Sequence, residues 1–127
     1  MWYNLVRTTG EKRLEALELA RQAVDAASDK QASNIVLLDV RDICSFADYF
    51  VICSGESGRQ IRTVIDEIEK TLKHQGILPH HREGSTDSGW LLLDYTDVII
   101  HIFSVEERDY YKLDNLWQNA KTVLRIQ

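Results

Sequence analysis

Three short stretches and two cysteines carry the residues that could do chemistry in this 127-residue chain. Ser54-Gly55-Glu56-Ser57-Gly58 follows one apolar run and precedes another, the outline of a nucleophile elbow. That turn needs glycine two positions after its serine, where this chain has Arg59, so Ser57 reads instead as the N-cap of a helix. The same turn, Ser54 to Arg59, could hold a phosphate, because helix N-termini attract anions. Phosphoryl transfer through two metals also needs gathered carboxylates. The later strands offer only Asp94 and Asp97, three apart and flanking a turn.

His80 and His81 are adjacent and would point opposite ways on a strand, so they read as surface polar residues. His101 sits in an apolar strand and reads as a semi-buried imidazole with its hydrogen bonds satisfied. Cys44 and Cys53 have no CxxC neighbour, which argues against structural zinc. Cys53 reads as a buried, inert thiol. No catalytic residue, metal or cofactor is expected. An enzyme processing a nucleotide or phosphate ester at the Ser54–Arg59 turn is the alternative.

The net charge is −5. Binding to nucleic acid normally needs a basic face that displaces counterions. Arg59 and Arg62 could form only a small patch, so no direct nucleic-acid specificity is expected and a basic protein is the better partner. No run approaches the ~18 apolar residues of a membrane span. The N-terminus lacks the pattern of a secretory signal. A cytoplasmic protein without a membrane partner is the expectation.

The elements that would position these residues follow from periodicity. Residues 1–10 read as a mobile lead, and residues 11–127 as a single domain. Leu14, Leu17, Ala20 and Val24 mark a helix over about 11–27. Ile35–Val40 and Asp48–Cys53 are strands. Ile61, Val64, Ile65, Ile68 and Leu72 form the stripe of a second helix, with Gly76 as its left-handed C-cap. A short strand is expected around 81–83. Gly89–Phe103 is then a hairpin broken at Thr96-Asp97. Alternation puts Val98, Ile100 and Ile102 on one face, and Ile99, His101 and Phe103 on the other. A closing helix is expected from about Val105 to Val123, with Trp117 in the core beside Leu113, Leu116 and Ala120. The order predicts an α/β (α+β) fold, a mixed sheet flanked by helices.

The motifs Asp48–Gly55, Arg59-Gln60, Glu83-Gly84 and Gly89-Trp90 stand in order along the chain. They are followed by Leu93–Tyr95, Asp97-Val98, His101, Phe103, Arg108, Tyr111 and Leu116-Trp117. Together they resemble the ribosomal silencing factor (iojap-like) family over about residues 11–120. The resemblance implies a nucleotidyltransferase-like fold without transferase activity. It also implies binding to the large ribosomal subunit through large-subunit ribosomal protein fourteen, which blocks association with the small subunit and represses translation. Many relatives have glycine where this chain has Thr96, which argues against a positive φ there.

Given such a partner, the hairpin and the acidic segment after it supply the candidate docking residues. Trp90, Leu92 and Asp94 share one strand face, and Leu91, Leu93 and Tyr95 the other. Tyr95, Asp97, His101, Glu107, Tyr110 and Tyr111 complete the candidates. Aromatic side chains would anchor the complex, while Asp94, Asp97, Glu106, Glu107 and Asp109 would meet a basic partner. The exposed hairpin could also pair with its own copy, giving a homodimer.

Overall fold

Side chains alternate across a strand, so each strand of this chain divides its residues between two different environments. The structure, a computed structural model, describes residues 9–110 and 112–127, and the side chains of 15–109, 112 and 115–127. Helix α1 spans Thr9–Asp29 and is followed by strands β1, Ser33–Asp39, and β2, Tyr49–Gly55. Helix α2, Gly58–Lys73, leads to β3, His81–Ser85, β4, Trp90–Asp94, and β5, Val98–Ser104. The chain closes with a short helix α3, Val105–Tyr110, a 3₁₀ turn at Leu113–Trp117 and strand β6, Lys121–Ile126.

The six strands form one sheet in the order β3-β4-β5-β2-β1-β6. Only β2 and β5 pair in parallel, so the sheet is mixed, as the element order predicts. Both long helices pack on one face. Ile61, Val64, Ile65, Ile68 and Leu72 of α2 meet Val51, Leu91, Leu93, Ile100 and Ile102 there. Helix α1 adds small residues, Ala16, Ala20, Ala23 and Ala27, which let it approach closely. Each large aliphatic buried in this layer contributes about 1.5–3 kcal/mol.

The expected caps are present. Ser57 Oγ accepts the Gln60 N–H at 3.1 Å. Gly76 takes φ +78, and the next N–H, of Ile77, reaches back to the Leu72 carbonyl at 3.0 Å. Helix α1 begins at Thr9, so Thr9 and Gly10 belong to it rather than to a lead; residues 1–8 and the Leu14 side chain lie outside the described residues.

The expected closing helix is corrected. Its first turns form, but Lys112 takes φ +51, and the chain ends in a strand that pairs antiparallel with β1. The free edge of β1 offers hydrogen bonds that a continued helix would leave unused, and Thr122, Val123 and Ile126 suit a strand. Trp117 is consequently half-buried on the sheet face opposite the helices, and Leu116 is 68% exposed.

The expectation for Thr96 is also corrected: its φ is +76. The turn is tied from several sides. Tyr95 N–H donates to the Val98 carbonyl at 2.9 Å, and Asp94 Oδ1 accepts the Thr96 N–H at 2.7 Å. The Asp97 carbonyl takes the N–H groups of Asp48 and Tyr49 at 2.8 and 3.1 Å. This closure imposes a left-handed residue at position 96, where a β-branched side chain is strained. Thr96→Gly is expected to raise stability by about 1 kcal/mol in urea unfolding; a loss would show that the threonine carries no strain.

Candidate functional site: an aromatic face of the sheet

The second face of the sheet is laid with Val36, Leu38, Phe50, Ile52, Ile99 and Phe103. Neither of the two described long helices covers it. The connection between β1 and β2 and the segment after β5 lie across it, contributing Val40, Cys44, Ala47, Trp117 and Ala120. Beyond their cover, Trp90 is 37% exposed and Leu92 is half-buried.

Register gathers the aromatic rings. Trp90 pairs with Phe103 and Leu92 with His101, so these four side chains share one face. The Trp90 ring lies nearly parallel to those of Phe103 and His101, with centroids 6.3 and 6.5 Å away. Trp117 inclines over His101 and Phe103 at 5.9 and 6.2 Å, and Phe50 meets His101 edge-on at 4.9 Å. Gly89 sets the end of this ladder. It takes φ +78, its carbonyl accepts the Ser104 N–H at 2.8 Å, and a Cβ there would sit 2.5 Å from Glu107 Cγ. The Glu107 side chain therefore lies against the Gly89 backbone.

His101 corrects one expectation. Its ring is buried, yet neither nitrogen has a hydrogen-bond partner. Burial among aromatic rings disfavours the charged form and pushes its pKa down to about 4. The histidine is a neutral imidazole at the centre of the ladder, with polar atoms unsatisfied, a costly arrangement in a protein interior.

The other candidates divide. Asp94 points to the same face as Trp90 and Leu92 and is half-buried at the far end of β4. Tyr95 departs from the docking set: it is 7% exposed and packs into the helix-covered core. Its hydroxyl has no partner, and burial pushes the phenol up to about 12. Asp97 is exposed at the hairpin turn. The side chains of Tyr110 and Tyr111 lie outside the described residues. Sequence reading missed that Phe50 and Trp117 join the ladder. Phe50 alternates with buried Tyr49 and Val51, which was the available signal; Trp117 gave none once read as helical.

The Ser54–Arg59 turn is occupied by structural bonds. Ser54 is buried, and its Oγ accepts from Arg108 Nη1 at 2.9 Å. The same Nη1 donates to the Asn34 carbonyl at 2.7 Å. Ser57 serves as the helix cap already described. Arg59 and Arg62 line a shallow cleft with Thr86 and Asp87. Among the described residues no three His, Cys, Asp or Glu side chains gather as metal ligands. Cys53 is buried and its thiol is pushed up to about 12, which makes it unreactive. No described helix is long and apolar enough to cross a membrane.

Comparison with known proteins bears on what this face does. Residues 13–127 match the family described as "Ribosomal silencing factor during starvation". The ribosomal silencing factor RsfS of Halalkalibacterium halodurans is 41% identical over 106 residues, covering 84% of this chain and 91% of that protein. A crystal structure of a protein from Bacillus halodurans superposes with a TM-score of 0.74 at 38% identity, covering 85% of this chain and 98% of the other. The more distant "Mitochondrial assembly of ribosomal large subunit protein 1" of Mus musculus is 30% identical over 122 residues, 87% of this chain and 54% of its own length.

Proposed function

The chain belongs to the ribosomal silencing factor family, and from that premise we propose that it silences ribosomes by occupying a surface of the large subunit. The observation that carries the reading is the open aromatic face: a tryptophan-led ladder, exposed at its edge, on a sheet whose other face is fully committed to helices. Large aromatic side chains at the edge of a packed apolar face are the usual anchors of protein interfaces. Glu107 against Gly89, and Asp94 and Asp97 along the hairpin, add negative charge that suits a basic ribosomal protein. The net charge of −5 opposes direct binding to ribosomal RNA.

Within that reading the partner is large-subunit ribosomal protein fourteen, and the effect is steric. A bound chain stands where the small subunit would dock, so joining fails and translation falls. Occlusion needs no turnover, no cofactor and no metal, and it takes place in the cytoplasm. Docking centres on Trp90, Leu92 and Glu107, with Asp94 and Asp97 toward the hairpin turn, while the buried His101 supports the Trp90 ring from beneath rather than touching the partner. A homodimer formed through the same face would compete with docking.

Light scattering of ribosomal subunits tests the reading. Large subunits preincubated with the chain are expected to join small subunits less completely as its concentration rises. Binding to the large subunit with undiminished joining would leave the partner and overturn occlusion. Undiminished joining with no binding would overturn both.

A further inference from the structure

The connection between β1 and β2, residues 40–48, is tied down along its length yet holds two apolar side chains in water. Val40 N–H donates to the Asp48 carbonyl at 3.0 Å and closes the loop at its base. Within it, the N–H groups of Ile43 and Cys44 both reach the Val40 carbonyl, at 3.0 and 2.8 Å. Val40, Cys44 and Ala47 turn into the apolar cluster of the second sheet face. Ile43 and Phe46 do not. Ile43 is exposed, and Phe46, at 71%, is the most exposed large apolar side chain among the described residues. A single apolar side chain at a surface needs no explanation. Two in one hydrogen-bonded loop, whose other apolar residues are buried, form a presented surface on a fixed backbone.

The loop's charges are matched within the chain. Arg41 donates to both carboxylate oxygens of Asp39, at 2.9 and 2.6 Å. Lys121 Nζ lies 3.3 Å from Asp42 Oδ2. The loop therefore adds apolar contact to the surface rather than net charge. Its base is joined to the hairpin, because Asp48, two residues from Phe46, donates its N–H to the Asp97 carbonyl at 2.8 Å. Cys44 and Ala47 share one cluster with Leu92, Phe50 and Ile99, which places the loop on the same face as Trp90. Trp90 opens β4, and Asp94 closes it beside the hairpin turn, about 13 Å away. An exposed aromatic side chain thus stands toward each end of this face, with Leu92 and Asp94 on the strand that links the two ends.

Resting on the docking reading above, we propose that this loop is the second anchor of the same interface. Phe46, with Ile43 of the same loop, enters an apolar cleft on the basic ribosomal protein that takes Trp90, and lysine or arginine beside that cleft faces Asp94. A single ring fixes a position, whereas two separated anchors also fix an orientation. Steric occlusion needs both. The hydrogen bonds of the loop hold its backbone before docking, so the contact forms without the cost of ordering it.

The test is the affinity of the full chain for isolated large subunits and for purified large-subunit ribosomal protein fourteen, with Phe46→Ser, Trp90→Ala and Leu78→Ser. Leu78 is nearly as exposed as Phe46 but lies in the connection after α2, so it controls for general stickiness. Phe46→Ser is expected to weaken binding to both targets by about tenfold, while Leu78→Ser leaves both unchanged. Because the Phe46 ring is exposed, circular dichroism and urea unfolding should match the unaltered chain. Full affinity for Phe46→Ser beside a loss for Trp90→Ala would remove the second anchor and keep the docking reading. A loss with the subunit but not with the purified protein would give Phe46 to another ribosomal component and overturn the proposal. An equal loss for Leu78→Ser, or a Phe46→Ser chain that loses only self-association, would overturn it too. No binding by the unaltered chain would remove the docking reading and this inference together.

Discussion

Between pH 6.5 and 4 this protein is expected to lose about 3 kcal/mol of stability through His101 alone. The unfolded chain protonates this histidine near its ordinary value of 6.5, whereas the folded protein resists until about 4. As pH falls through that window the unfolded state binds the extra proton, and stability drops by about 1.4 kcal/mol per unit. Above 6.5 the imidazole is neutral in both states and the penalty vanishes. The cause is burial, since Phe50, Trp90, Phe103 and Trp117 supply the surrounding rings. Urea unfolding at pH 7, 6, 5 and 4 measures the slope, and His101→Leu should flatten it while leaving stability at pH 7 no lower. Carboxylates titrate in both proteins, so the difference between the two curves belongs to His101. Parallel curves would mean that the imidazole is hydrated or finds a partner in solution.

Trp90→Ala is expected to weaken binding to the large subunit by at least about thirtyfold, or about 2 kcal/mol. The ring is 37% exposed at the edge of the ladder, so its loss uncovers part of Phe103 without opening the helix-covered core. Tyr95→Phe is the matching control. Its hydroxyl is buried on the opposite face without a hydrogen bond, so removing it should leave affinity unchanged. Sedimentation of the chain with isolated large subunits gives both affinities, and circular dichroism checks that each variant is folded. An unchanged affinity for Trp90→Ala would move docking off the aromatic face. A loss with Tyr95→Phe would place docking on the far side of the hairpin.

Local chemistry made much of this fold legible. Ser57 and Gly76 mark the ends of α2 by their capping preferences, and the alternation of β5 divides Val98, Ile100 and Ile102 from Ile99, His101 and Phe103. What stayed hidden depends on distant parts of the chain. Leu113, Leu116, Trp117 and Ala120 recur at helical spacing, and nothing local says that the residues after them complete a sheet begun near residue 33. Thr96 looks ill suited to a left-handed turn, and the ties from Asp48 and Tyr49 that impose one come from another strand. The candidate site shows the same division. Alternation alone separates Trp90 from Tyr95, but the ring cluster around His101 depends on how β2, β4, β5 and the 3₁₀ turn come together.

Strand β6 also sets an order of events during synthesis. Ile126 pairs with Ile35, so the ribosome must translate about ninety residues between the two halves of this ladder. Until β6 docks, a chain that has assembled β1 to β5 under the two helices presents the backbone of β1 as an open edge. Such an edge invites pairing with another unfinished chain. By contrast β3, at the other margin of the sheet, carries Arg82 and Glu83, charges that discourage such pairing once the strand is in place. The vulnerable interval of this protein's life is therefore the time between the folding of its first five strands and the arrival of the sixth.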